Sequence, residues 1–251
     1  MLRILDSRTG QPADAAPSRR GLTRIEAHAP GLDPTSLRVL LTADLLVRTL
    51  ELDDTPVWAS LSDPEPDPGL TAAATALSIR PFESAHDGTA GLGAAQVIRV
   101  RRAERPDAPA PDAPARGPLV AVAPVHWEGA EAPFPALLAD PAALRLTLLR
   151  VPRGEPVRLD ATVLAEAAAT LDRWRRAVAE WARQPSRPVP DEVRARLRDA
   201  REDDLDLPGV LAVLRDVAQD PGLPDGARFE TYAHADRLLA LDLPRDLGRF
   251  A

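Results

Sequence analysis

The run Asp33-Pro-Thr-Ser-Leu-Arg-Val-Leu-Leu-Thr-Ala-Asp-Leu-Leu-Val-Arg-Thr-Leu50 decides the fold, together with the β-like stretches on either side, Thr23-Arg-Ile-Glu-Ala27 and Thr55-Pro-Val-Trp-Ala-Ser-Leu61. Asp is a good helix N-cap, because its carboxylate accepts from the free N–H groups of the first turn, and Pro34 suits the first helical position. Leu37, Leu40, Leu41, Leu45, Val47 and Leu50 leave no broad polar face. Such a helix is buried against a sheet rather than laid on a surface. Strand, helix and strand in that order predict a βαβ unit with a parallel strand pair.

Further β-like runs are read at 3–5, 74–79, 96–100 and 118–125, each bounded by Gly, Pro or Asp. Between them, residues 101–117 are rich in Pro and Ala, a composition that excludes both helix and central strand and predicts an exposed loop. From Asp140-Pro141, a second Asp-Pro helix start, the pattern turns helical. Leu164, Ala168, Leu171, Trp174, Val178 and Trp181 form one apolar stripe. Pro185, Pro188 and Pro190 break it, and shorter helices follow around Val193–Ala200, Pro208–Val217 and Phe229–Leu239. The expected architecture is α/β plus all-α. A truncated Rossmann-like domain over 1–136 contains the 101–117 loop, and an α-helical bundle covers 137–251.

Composition narrows the chemistry. All 31 basic residues are Arg, there is no cysteine, and the formal net charge is −7. Thiolate metal sites and disulfides are excluded. Net acidity argues against a DNA partner and leaves a tRNA partner weakly supported, because phosphate contacts need basic surface. No apolar run reaches the length of a membrane span, and Met1-Leu-Arg-Ile-Leu-Asp6 lacks a signal-peptide pattern. A cytoplasmic location with no membrane partner is expected.

Four histidines, His28, His86, His126 and His234, are scattered without ligand spacing. His28 and His126, with Glu128 as a third group, are the weak candidates for a metal site. No metal and no cofactor are expected. Residues 88–93 carry glycines without the Lys-Ser/Thr of a phosphate loop. Arg173, Arg175, Arg176 and Arg183, followed by Arg194, Arg196, Arg198 and Arg201, suit either an RNA backbone or ordinary pairing with helix acids.

Two stretches carry a resemblance. One is Asp140-Pro-Ala-Ala-Leu-Arg-Leu-Thr-Leu-Leu149 with Leu164-Ala-Glu-Ala-Ala-Ala-Thr-Leu-Asp-Arg-Trp174. The other is Glu202-Asp-Asp-Leu-Asp-Leu-Pro-Gly-Val-Leu-Ala-Val-Leu214 with Phe229-Glu-Thr-Tyr-Ala-His-Ala-Asp-Arg-Leu-Leu-Ala-Leu-Asp-Leu-Pro-Arg-Asp-Leu-Gly248. Both resemble the helical region of cysteinyl-tRNA synthetases and of the related mycothiol-pathway cysteine ligases. A weaker resemblance covers residues 1–66. That family implies a class I catalytic domain. Its cysteine thiolates hold zinc, a His-x-Gly-His loop binds the nucleotide, and a lysine loop stabilises the ATP phosphates.

The chain departs from the family at each of those groups. His28, in Ile25-Glu-Ala-His-Ala-Pro30, stands where a zinc-binding Cys is expected. The nucleotide loop reads Gly31-Leu-Asp-Pro-Thr-Ser-Leu-Arg38 and lacks both histidines, and Glu128-Gly-Ala-Glu-Ala-Pro-Phe134 replaces the lysine loop. By resemblance, Ser60-Leu-Ser-Asp-Pro-Glu65 keeps one aspartate of a family signature, Asp63. Gly31, Arg38 and Asp63 are the expected remnant of a nucleotide pocket, with Arg38 the one candidate phosphate clamp. A region beyond Gly248 that reads the anticodon in the family is expected to be absent or minimal.

No catalytic residue is assigned. The expected function is that of a cysteinyl-tRNA synthetase-like protein without catalysis, acting by binding a protein partner or RNA. Two alternatives remain: an ATP-dependent cysteine-type ligase with a remodelled site, and a structural subunit whose sheet edge pairs with another chain.

Overall fold

A computed structural model describes residues 1–17, 21–63, 65, 67–84, 94–103, 117–129 and 133–249. Strands β1 (Arg3–Asp6) and β2 (Gln11–Asp14) form an antiparallel hairpin. Then come β3 (Leu22–His28), α1 (Pro34–Leu52), β4 (Val57–Leu61), α2 (Pro68–Ala76), β5 (Glu83–Ser84), β6 (Ala94–Arg102) and β7 (Leu119–Val122). A short strand β8 (Val125–Trp127) leads to α3 (Pro133–Leu137) and α4 (Pro141–Leu149). Strand β9 (Val157–Leu159) precedes α5 (Ala161–Trp181), α6 (Asp191–Glu202), α7 (Leu207–Gln219), α8 (Asp225–Leu239) and a 3-10 turn (Leu243–Asp246).

The main sheet has five strands, all parallel, in the order β5-β4-β3-β6-β7. Numbered along the chain within this sheet, that is 3-2-1-4-5, the beginning of a doubly wound order, with the reversal between β3 and β6. One edge is short, since β5 has two residues. The other is engaged by the hairpin. Asp6 accepts from Leu119 N, Ser7 N donates to Leu119 O, and the Ser7 hydroxyl accepts from Ala121 N. The free backbone groups of edge strand β7 are thereby used.

Helix α1 lies between this sheet and the C-terminal helices, which explains its nearly all-round apolar sequence. Leu37, Leu40, Leu41, Leu45 and Leu46 are all buried. Each contributes roughly 1.5–3 kcal/mol of burial, before the entropy of ordering is subtracted. The sheet residues facing α1 are also apolar: Ile25, Ala27, Ile98, Val100, Val120 and Val122. Alternate positions such as Arg24, Glu26 and Arg99 point to the opposite face, where Glu26 pairs with both arginines.

Burying α1 also buries polar residues: the charged ones, Arg38 and Asp44, have partners, whereas the Thr49 hydroxyl has none among the described residues. Asp44 is fully buried and binds Arg48, Arg80 and Arg145. Arg145, 1 % exposed, spends its other N–H groups on the carbonyls of Leu239 and Leu77. This cluster joins α1, the α2–β5 connection, α4 and the end of α8. The buried charges are tolerated because each guanidinium bonds to a carboxylate or a carbonyl, which offsets the repulsion between Arg48 and Arg145.

The division expected at 136/137 is bridged. Strand β8 pairs in parallel with β9, and a single hydrophobic core runs from Leu2 to Leu243. Within the C-terminal part, α4 packs on α5, α6 on α7, and α8 on α5, α6 and α7. No described helix is long and apolar enough to cross a membrane.

Two strand expectations are corrected. Residues 74–79 are not a strand but the end of α2 and its following turn. Asp67 caps that helix through Gly69 N and Leu70 N, with Pro68 behind it, the same Asp-Pro start that marks α1. The run 118–125 is two strands, β7 and β8, belonging to different sheets. At the start of the expected 101–117 loop, Arg101 and Arg102 are instead the last residues of β6. Residues 104–116 of that loop, and the glycine-bearing run 88–93, lie outside the described residues.

Candidate functional site

In an open parallel sheet, ligands bind beyond the carboxyl ends of the strands where the strand order reverses. Here that point is flanked by His28 at the end of β3 and by Arg101 and Arg102 at the end of β6, with His28 in register with Arg101. The chain leaves β3 through Ala29 and Pro30, turns at Gly31 with φ +70°, and enters α1. A Cβ at Gly31 would meet nothing within 4 Å, so the glycine serves the left-handed backbone rather than a close approach.

Asp33 closes the amino end of α1. Its Oδ1 accepts from Thr35 N at 2.8 Å and Ser36 N at 3.1 Å, and the Ser36 hydroxyl lies 2.7 Å from Oδ2. Arg102 reaches the same Oδ2 from β6. Burial alone raises the Asp33 carboxyl. The hydrogen bonds from Ser36 and Thr35 and the Arg102 charge outweigh that and hold it below the usual carboxylate range. A helix amino terminus is a ready anion site because its first N–H groups are free and its dipole end is positive. In this chain the anion there is the protein's own side chain.

Arg38 does not face this site. It is 2 % exposed, and its guanidinium donates to four carbonyls, those of Ala123, Glu155, Val151 and Pro152. Burial pushes its pKa down to about 10, with Glu155 opposing, so it stays charged at neutral pH. The residue expected as a phosphate clamp is a strut joining α1 to the segments that lead into β8 and β9. Asp63 follows β4 and is half-buried, and its carboxylate accepts from Glu65 N. Gly31 and Asp63 thus sit beyond the carboxyl ends of adjacent strands, while Arg38 lies one helical turn inside.

The histidines stand apart. His28 is exposed on the main sheet and His126 is exposed on β8 of the small sheet. Glu128, the third group of that set, pairs with Arg158. His234 is on α8, and its pKa is lowered by burial and by Arg237, Arg194 and Arg201. His86 lies outside the described residues. Among the described residues, no three His, Asp or Glu side chains come together as a metal site would require.

The C-terminal arginines are largely engaged. Arg175 is buried and donates to the carbonyls of Leu241 and Asp242. Arg183, Arg194, Arg196, Arg198 and Arg201 pair with Glu180, Asp191, Asp216, Asp199 and Asp53 respectively.

Arg102 is the site residue that sequence reading missed. Composition grouped it with the proline-rich stretch. Alternation along Ile98, Val100 and Arg102 placed it on the buried side of β6, aimed at the start of α1.

The fold and site define a parallel α/β protein whose reversal-point crevice meets a self-capped helix. No protein-family model matches the chain. The chain is similar to several ligases named L-cysteine:1D-myo-inositol 2-amino-2-deoxy-alpha-D-glucopyranoside ligase. The one from Streptomyces griseus is 30% identical over 191 residues, covering 74% of this chain and 40% of the relative. That from Parafrankia sp. is 47% identical over 76 residues, 30% of this chain and 16% of the relative. A Mycobacterium sp. ligase is 37% identical over 133 residues, 51% of this chain and 29% of the relative. The chain spans less than half the length of these curated relatives.

Proposed function

We propose that this chain is a cysteine-ligase-like protein that forms no aminoacyl adenylate and acts by binding. The observation that carries the reading is the Asp33 carboxylate on the first N–H groups of α1, locked by Ser36 and Arg102. An incoming phosphate would have to expel that carboxylate and take over its donors. Adenylate formation also needs cations or imidazoles aimed at the phosphates as charge develops. The loop from Gly31 to Ser36 supplies none itself, Arg102 at the crevice is bonded to Asp33, and Arg38 is committed to carbonyls. A protein partner fits better than RNA, because the helix arginines are mostly paired with acids. Calorimetric titration of L-cysteine with and without ATP tests the proposal. No ATP-dependent cysteine binding is expected, and a sub-millimolar affinity that requires ATP would reject it.

A second reading, an ATP-dependent cysteine-type ligase with a remodelled site, is favoured by the kinship with ligases over 74% of the chain. It is also favoured by the crevice at the strand-order reversal between β3 and β6. On that reading, Arg102 releases Asp33 and turns to the triphosphate, and Asp33→Asn raises activity rather than leaving it absent.

A further inference from the structure

A cavity of about 550 Å³ opens between the end of α4, the middle of α5 and one face of α7, away from the sheet. Its volume is in the range of small-molecule sites, about 300–1,000 Å³. Arg150, Arg173 and Arg215 line it, with Thr170, Trp174 and Leu211. The three arginines come from three different elements. None of them forms an ion pair with a described carboxylate, unlike most arginines of the neighbouring helices.

Their charges act on one another. Burial depresses the Arg150 guanidinium, and Arg173 and Arg215 depress it further against the opposing pull of Glu166. Three like charges beside the single acid Glu166 carry a cost that a further anion removes. Guanidinium groups suit phosphate because their planar forks give paired, charge-assisted hydrogen bonds.

Apart from Thr170 and Gln219, the rest of the wall is apolar. Trp174 rests edge-on against Tyr232, with ring centres 5.9 Å apart and planes at 86°. Tyr232 is buried and its hydroxyl donates to Leu214 O. A half-exposed indole fixed from behind is a ready platform for a planar ring. Another large cavity, lined by Glu51, Asp53, Arg194, Arg201 and His234, mixes acids with bases and has its Arg201 already paired with Asp53. It lacks this charge excess.

We propose that the cavity between α4, α5 and α7 binds a nucleoside phosphate, the phosphate held by Arg150, Arg173 and Arg215 and the base lying against Trp174. The inference is independent of the function proposed above, since none of these residues touches the α1 amino end.

Calorimetry on the full chain with AMP, adenosine and inorganic phosphate tests it, alongside the double variant R173Q/R215Q. Both arginines are exposed, so the variant is expected to keep the wild-type melting temperature. AMP is expected to bind, adenosine and phosphate to bind at least about tenfold more weakly, and the double variant to lose at least about tenfold in AMP affinity. A Trp174→Leu variant is expected to weaken AMP while leaving inorganic phosphate unchanged. Absence of AMP binding at millimolar concentration, or AMP binding indifferent to R173Q/R215Q, would overturn the proposal. Phosphate binding as tightly as AMP would overturn the nucleoside half of it. An RNA duplex that binds where AMP does not would overturn the small-ligand reading.

Discussion

Arg102, the last residue of β6, bonds the carboxylate of Asp33, the residue that caps α1. The contact spans the point where the strand order of the sheet reverses. It joins the two elements between which a parallel α/β protein ordinarily admits its ligand. On the proposed function, this carboxylate and guanidinium occupy the place that a phosphate and its counter-charge would need.

Replacing Asp33 with Ala removes an N-cap and the partner of Arg102. The expected loss is about 1 kcal/mol, typical of an N-cap deletion. It is read as a lowered midpoint in urea unfolding with unchanged slope.

The same carboxylate gives a pH signature. Its folded pKa lies below its unfolded value of about 3.9. Its stabilisation is therefore present above that value and is lost as the pH falls through the folded pKa. The difference in stability between wild type and Asp33→Asn is expected to be constant from pH 7 to 5 and to shrink below pH 3.9 or so. Parallel denaturant titrations measure it, and a gap that widens on acidification contradicts the assignment.

Asp44→Asn is expected to be far more damaging. It strands Arg145, which is 1 % exposed, without its counter-charge. Breaking a buried pair on one side costs about 3–5 kcal/mol. Arg38→Ala is expected to cost about 3 kcal/mol or more, since it leaves four carbonyls short of a donor. Both are read by thermal and urea unfolding. Retention of wild-type stability by Arg38→Ala would restore Arg38 as a residue free for ligand.

Tyr232→Phe removes one buried hydroxyl and its bond to Leu214 O, while the edge contacts with Trp174 and Trp181 remain. A loss of about 1 kcal/mol is expected, a fall of roughly 2–4 °C in Tm.

Much of the fold was legible in local chemistry. The Asp-Pro starts at Asp33 and Asp140, and the leucines of α1, predicted a buried crossover helix, and the sheet has the parallel strands this requires. The Asp67-Pro68 start carries the same signal for α2, which the β-like reading of 74–79 overlooks. Strand β9 is three residues long and exists only through its pairing with β8, a long-range contact that no local pattern announces. The site was less legible. Arg38 stands where a phosphate ligand would be sought in sequence. Whether a guanidinium on a buried helix faces a ligand or four carbonyls is decided by the chain that returns from α4 to β9. Likewise the Arg150, Arg173 and Arg215 wall is assembled from three elements whose separations in sequence give no motif.

The central claim is that the amino end of α1 is closed to a nucleotide by Asp33 and that the chain makes no adenylate. Cysteine-dependent exchange of pyrophosphate with ATP tests it most directly. The account predicts exchange indistinguishable from that without protein, for the wild type and for Asp33→Asn alike. Exchange clearly above that background, abolished by Arg102→Gln, would contradict it and establish the ligase reading.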